Sequence, residues 1–225
     1  MNPKPQREGE IELNTIIQGD CLEVMKDIPD KSVDLVLTDP PYGINIGGSG
    51  RIGGSGIVKP TQYTPVKWDD KGLSLEQWNE IKRISKNQII FGYNYFADIL
   101  GNCRGIIAWD KKVKNDWNDN FSDCEILYTS FNRPAKMFRY LWMGALRGKQ
   151  YDEQKRFHPT QKPLALLKWI IQNYTKETDL VLDCFLGSGT TAVACKHYGR
   201  KYIGIEISPE YCKIANDRLA QQVLF

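Results

Sequence analysis

No stretch of the 225-residue chain approaches the roughly 18 consecutive apolar residues of a membrane span. The first ten residues are polar and proline-containing with no apolar run behind them, so no secretory leader is visible. The six cysteines (21, 103, 124, 184, 195 and 212) form neither a Cys-x-x-Cys pair nor a finger-like Cys/His spacing. Reduced, mostly buried thiols are therefore expected, with no metal site and no disulfide framework. These absences predict a cytoplasmic protein without a membrane partner. Residues 1–10 are read as a flexible extension and residues 11–225 as a single domain.

A strong charge of either sign is also missing. The net charge is +3, but residues 101–162 hold 12 Lys/Arg against 7 Asp/Glu, whereas the remainder holds 18 against 20. Trp109, Trp117, Phe131, Phe138, Tyr140, Trp142 and Tyr151 are interleaved with the basic residues. Such a mixture suits a nucleic-acid surface. Composition alone fits a solvated face over an aromatic core better.

What is present is an alternation of strand-like and helix-like segments, the mark of an α/β fold with a mainly parallel sheet. Strands are expected at residues 13–18, 33–38, 88–91, 105–109, 180–184 and 202–207, and two more within 124–142, paired as a hairpin around Asn132-Arg133-Pro134. Helices are expected at 22–28, 75–85, 190–198, after Pro163 in its first turn, and after a Ser208-Pro209 cap. Residues 43–63 are glycine-rich and poor in large apolar side chains, which predicts a mobile functional loop.

Asp39-Pro40-Pro41-Tyr42 closes the buried strand 33–38. Ligands of open α/β sheets bind beyond the carboxyl ends of strands. Two prolines stiffen the turn and leave their carbonyls without local donors. The turn therefore offers a carboxylate acceptor (Asp39), a carbonyl acceptor (Pro40) and an aromatic face (Tyr42). An exocyclic amine on a nucleobase fits these three, since two acceptors on its N–H bonds free a lone pair otherwise delocalised into the ring. An ordinary strand-to-loop turn has the same composition.

Residues 183–191 (DCFLGSGTT) read as a strand, a glycine turn and a helix start. Glycines admit a ligand close to the backbone, and a helix N-terminus offers free N–H groups. No Lys-Ser/Thr pair follows, so this is not a phosphate-binding P-loop. Glu206 stands 17 residues after Gly189 at the end of YIGIE, near where an acidic side chain takes ribose hydroxyls in dinucleotide folds. A ribose-containing cofactor is the reading that follows.

Both motifs, with His158-Pro159-Thr160-Gln161-Lys162-Pro163 between them, resemble the N6-adenine/N4-cytosine DNA amino-methyltransferases. The DPPY turn precedes the glycine turn, as in that family's permuted beta arrangement, and the likeness runs from about residue 15 to 219. It implies a circularly permuted, Rossmann-like methyltransferase fold with seven mostly parallel strands, an antiparallel edge hairpin and S-adenosyl-L-methionine as cofactor. Asp39 and Pro40 would hold the target amine, and Tyr42 would stack on a flipped base. Asp183, Phe185, Gly187, Gly189 and Thr190 would line the methionine end of the cofactor, with Glu206 on its ribose. Asp20 and Cys21 would border its adenine, and His158, Thr160 and Lys162 would close over it. Cys184 stands where the family often has proline.

The resemblance further implies double-stranded DNA as partner, with residues 111–157 as a short target-recognition segment. Lys111, Lys112, Arg133, Arg139 and Arg147 are its candidate DNA contacts, and a homodimer or a restriction endonuclease partner stays open. None of the six cysteines follows proline, which argues against cytosine-C5 chemistry. DPPY is the commoner adenine form of the turn, so adenine N6 is expected over cytosine N4. A non-catalytic DNA-binding protein on a degenerate methyltransferase fold is the alternative from another class.

Overall fold

Strands whose successive residues are apolar on both sides must be covered on both sides, and the computed structural model shows that arrangement. It describes residues 12–44, 51–52, 61–62, 71–113, 122–143, 146–147 and 160–221. The strands are β1 (Thr15–Gln18), β2 (Val33–Thr38), β3 (Arg51–Ile52), β4 (Thr61–Gln62), β5 (Ser85–Phe91), β6 (Gly105–Asp110), β7 (Cys124–Thr129), β8 (Lys136–Arg139), β9 (Trp142–Met143), β10 (Leu146–Arg147), β11 (Leu180–Asp183) and β12 (Lys201–Glu206). The helices are α1 (Cys21–Lys26), α2 (Leu75–Ile84), α3 (Tyr93–Leu100), α4 (Leu164–Tyr174), α5 (Thr190–His197) and α6 (Pro209–Ala220).

Eight strands form the main sheet in the order β1-β12-β11-β2-β5-β7-β6-β8, and β3–β4 and β9–β10 are separate two-stranded pairs. Side chains alternate between its faces. Leu35, Leu37, Ile89, Phe91 and Val181 pack with α4, α5 and α6 on one side. Val36, Ile90, Leu182, Ile203 and Ile205 pack with α1, α2 and α3 on the other. Each fully buried aliphatic side chain contributes on the order of 1.5–3 kcal/mol, so this two-faced burial is what fixes the register.

Only β7 runs against the others, pairing antiparallel with β5 and β6, while β8 pairs parallel with β6. The carboxyl ends of the remaining seven strands of the main sheet therefore lie along one edge, and the amino end of β7 joins them there. This corrects two expectations. The sheet has eight strands rather than seven, and the two strands within 124–142 are not a hairpin. They flank β6, because β7 already occupies one edge of β6 over its whole length, from Gly105↔Thr129 to Asp110↔Cys124. The connection passes the start of β6 at Gly105, where a Cβ would stand 2.6 Å from the Arg133 carbonyl oxygen.

Two local readings also shift. Pro163 is the N-cap of α4, with extended backbone, rather than its first helical residue. The helix α3 is not anticipated by the sequence reading. Most of the glycine-rich segment 43–63 lies outside the described residues. Among the described residues no helix is long and apolar enough to cross a membrane, and no three His, Cys, Asp or Glu side chains gather as a metal site.

Candidate active site

Thr38 ends β2 with its hydroxyl donating to Asp183 Oδ1 (2.6 Å), which locks the ends of β2 and β11 together. The next residue, Asp39, therefore emerges at the carboxyl edge beside the glycine turn. Tyr42 turns back and donates its hydroxyl to Asp39 Oδ1 at 2.8 Å. Lys162 Nζ lies 2.8 Å from Asp39 Oδ2 and 3.1 Å from Glu125 Oε2, and Lys111 Nζ lies 3.3 Å from Glu125 Oε1. Two carboxylates and two ammonium groups thus alternate in one cluster.

Burial pushes the Asp39 carboxyl above its ordinary range; the Glu125 charge adds to this and Lys162 opposes it. Glu125 feels the same burial, but Lys162 and Lys111 together hold it below its ordinary value. The Lys162 side chain is only 10% exposed, and burial alone would favour its neutral form. Asp39 and Glu125 outweigh that and keep it an ammonium. Burial first, then the Asp39 charge, drives the Tyr42 phenol well upward, so Tyr42 is a neutral donor.

The Tyr42 ring stacks on Tyr95 with centroids 4.7 Å apart and meets Phe96 edge-on at 5.9 Å. Its other neighbour is Gly92 (φ 75°), where a Cβ would sit 2.5 Å from the ring. Only glycine lets the β5–α3 turn lie against this tyrosine. Pro40 is buried beneath the turn.

The second half of the site is the glycine turn. Gly187 and Gly189 have φ of 54° and 84°, and a Cβ on Gly189 would meet Ala215 Cβ of α6 at 2.7 Å. The turn delivers the start of α5, whose N-cap residue, Gly189, offers no side chain to its first amides. Glu206 accepts from Gly187 N (2.7 Å) and Ser208 N (2.8 Å), one bond on each oxygen, which aims the carboxylate along the edge and leaves further lone pairs. Its carboxyl is raised by burial, with those amides opposing. Gly19 N bonds to Glu206 O, so Asp20, the N-cap of α1, and the buried Cys21 sit beside it. Ile207 is 66% exposed next to Glu206 and presents an apolar surface that suits a flat ring.

Asp183 is buried and accepts from Thr38, Thr191 and the Phe185 amide. It is the clamp between the two half-sites. Gln161 accepts from Ser188 Oγ at 3.3 Å, and Trp142 Nε1 donates to its carbonyl at 3.1 Å. Arg218, 5% exposed on α6, donates to Ser188 Oγ (3.1 Å), Thr190 Oγ1 (3.2 Å) and the Ser188 carbonyl.

The structure thus brings Asp39, Pro40, Tyr42, Asp20, Cys21, Thr160, Lys162, Asp183, Phe185, Gly187, Gly189, Thr190 and Glu206 to one edge. His158 lies outside the described residues. Lys162, expected over the cofactor, grips Asp39 instead. The basic candidates divide. Lys111 is committed to Glu125, and Lys112 is buried with its ammonium against Asp123. Both candidate DNA contacts are thus held in ion pairs within the fold. Arg139 is 62% exposed at the carboxyl end of β8, loosely paired with Asp110 at 3.7 Å. Arg133 is on the opposite edge, between the end of β7 and the start of β8, bonded to the Asn173 carbonyl and lying over Phe131 and Tyr174. Arg147 is placed by its backbone opposite Trp142. Glu125, Gln161, Arg218 and Tyr95 belong to the site without having been singled out. Only Gln161, inside the quoted HPTQKP segment, carried a signal.

The chain that carries this double site has known relatives. The family model described as a DNA methylase, for N6/N4 methyltransferases, matches residues 106–217. The type II methyltransferase M.HinfI of Haemophilus influenzae is 32% identical over 254 residues, covering 93% of this chain and 69% of its own length. The type II methyltransferase M2.LlaDCHI of Lactococcus lactis subsp. cremoris is 30% identical, covering 96% of this chain and 92% of its own. The crystal structure of an M1.HpyAVI–SAM complex aligns with TM-score 0.58 at 26% identity, covering 92% of this chain and 99% of that one. The PvuII cytosine-N4-specific methyltransferase shares the fold, with TM-score 0.59 at 17% identity. The chain belongs to the N6-adenine/N4-cytosine DNA methylase family. It is a DNA methyltransferase that uses S-adenosylmethionine.

Proposed function

We propose that the chain methylates N6 of adenine at specific sites in double-stranded DNA, acting on a base rotated out of the duplex. The observation that carries this reading is the Asp39 carboxylate, held at the carboxyl edge by Tyr42 and Lys162 next to the glycine turn. The Asp-Pro-Pro-Tyr form of the turn supports adenine over cytosine. A target atom inside a duplex cannot reach this recessed edge, which supports base flipping. The type II designation of the relatives supports a role beside a restriction endonuclease, and a DNA substrate supports a cytoplasmic place of action.

The cofactor fits the residues present. The positive φ of Gly187 and Gly189 shapes a turn without side chains where a ligand's polar end would lie, and the amides at the start of α5, which no capping side chain takes, suit its carboxylate. Glu206 would accept from its ribose hydroxyls and Ile207 would lie against its adenine. Bound there, S-adenosylmethionine supplies an electrophilic methyl whose S–C bond breaks as the N–C bond to the base forms. Asp39 and the Pro40 carbonyl accept the two N–H bonds of the target amine and turn its lone pair outward. The amine then sheds one proton, for which the Asp39 carboxylate is the adjacent acceptor. The stacked pair of Tyr42 and Tyr95, whose exposed member is Tyr95, offers the ring surface that receives the base, a stack worth about 1–3 kcal/mol.

The test is to methylate duplex DNA amplified in vitro, digest it to nucleosides and identify the product. N6-methyladenine is expected. N4-methylcytosine would move the chain to the other branch of its family, and no methylated nucleoside at all would favour a non-catalytic role.

A further inference from the structure

The Lys162 side chain is only 10% exposed, and its ammonium faces the catalytic carboxylate rather than the glycine turn. We infer that Lys162 and Glu125 form a positioning relay, in which Lys162, shared between the two carboxylates, holds Asp39 ready as an acceptor for the target amine. The inference rests on the reading of Asp39 as the group that receives that amine.

The geometry supports it from three sides. Lys162 Nζ is within 2.8 Å of Asp39, 3.1 Å of Glu125 and 3.4 Å of the Tyr42 hydroxyl, and it lies over the rings of Phe91 (5.2 Å) and Tyr42 (5.4 Å). Aromatic faces and two carboxylates leave an ammonium only this seat. Glu125 is in turn anchored by Lys111, so Lys162 need not compensate Glu125 alone and its ammonium stays available to Asp39. Finally, the residue before Lys162 is bound to both Ser188 of the glycine turn and Trp142. The relay therefore hangs from the glycine turn, so residues 161 and 162 add a second link between the half-sites beside Asp183.

The groups that face Asp39 are Tyr42 from its own turn, Lys162 from the segment before α4, Glu125 from β7 and Asp183 from β11; Lys111, after β6, reaches it through Glu125. Protonated, Asp39 would give up part of its capacity to accept an N–H bond. The two relay residues act on its ionisation with opposite signs: the ammonium favours the charged form and the Glu125 carboxylate opposes it.

The experiment is single-turnover methyl transfer from labelled cofactor to in vitro amplified duplex DNA across a pH series. Lys162→Met should move the acid limb of the rate profile upward by about one pH unit or more, the scale of losing an adjacent opposite charge. Lys162→Arg should restore most of it, and Glu125→Gln should move the limb downward. Titration of the base itself is common to every variant and cannot produce shifts of opposite sign. Rates lowered evenly at all pH values, with the limb unmoved in both Lys162→Met and Glu125→Gln, would overturn the relay. Should Lys162→Met fail to fold, Glu125→Gln decides alone: a downward shift supports the relay and an unmoved limb overturns it. An inactive Asp39→Ala beside unmoved limbs would reject the relay while leaving Asp39 as acceptor. An active Asp39→Ala would reject both.

Discussion

At the scale of single residues, the site separates groups that meet a ligand from groups that hold them. In the proposed function Tyr42 does both, through its ring stack and through its bond to Asp39. Tyr42→Phe keeps the stack and loses one charge-assisted hydrogen bond, so methyl transfer should fall by about tenfold, on the order of 1.5 kcal/mol. Tyr42→Ala should fall much further, and equal losses in the two variants would assign the role to the hydroxyl. Glu206→Ala should weaken cofactor binding by about 1–3 kcal/mol with DNA binding measured without cofactor unchanged. Calorimetry showing wild-type cofactor affinity would place the ribose partner elsewhere. Asp183 is a holding residue with a thermodynamic signature. Burial, opposed by bonds from Thr191, Thr38 and the Phe185 amide, raises its carboxyl from 3.8 to about 6. Between those values the folded chain keeps a proton that the unfolded chain has lost. Its contribution to stability is therefore full below 3.8 and is lost as pH rises through about 6. Asp183→Asn should flatten that slope in denaturant melts across the window, and a slope identical to wild type would contradict the assignment.

At the scale of elements, the readable parts of the sequence were those with a strong local signal. The VDLVLT strand and its DPPY exit, the LGSGTT turn and the Ser208-Pro209 cap each announce themselves within a few residues, and each lies where its pattern implies. Helix α3 gave no such notice. Its N-cap is Gly92 in left-handed backbone without a side-chain capping bond, and Phe96 interrupts its helical dihedrals. Placement was the other gap. The expected antiparallel hairpin implied a reversed strand, but nothing local to Cys124–Thr129 says that it inserts between β5 and β6, and that insertion is what carries Glu125 to Lys162 and Asp39. Lys111 and Lys112 looked like free cations for the same reason, since their acidic partners lie 14 and 11 residues away across the β6–β7 connection. The glycine turn offers a test at this scale. Gly189→Ala demands a φ near 84° from a residue with a Cβ and sets that Cβ 2.7 Å from Ala215. Its folding stability and its cofactor affinity should fall together, by about 1–3 kcal/mol each. A variant with wild-type stability and binding would show that the turn can relax.

For the whole molecule, the mostly parallel sheet gathers the proposed catalytic and cofactor groups among the described residues at one edge, and DNA should meet that edge alone. The two exposed arginines on β8 and its approach separate the cases. Arg139→Ala, at the carboxyl edge, should weaken duplex binding and flatten its salt dependence by a slope of about 0.9 for one phosphate contact. Arg133→Ala, at the far edge, should leave both unchanged and cost only about 0.5–1 kcal/mol of stability from its lost stacking. A reversed pattern in salt titrations would put the DNA on the other side of the sheet.

The claim on which all of this stands is that the Asp39 carboxylate receives the target amine and does not serve the cofactor. It is tested most directly by measuring labelled methyl incorporation and cofactor affinity side by side in Asp39→Ala. Incorporation should drop to the background while the cofactor dissociation constant stays within about tenfold of wild type, because the interaction is made with the reacting amine. Incorporation above a few per cent of wild type, on the order of a 2 kcal/mol effect or less, would contradict the account.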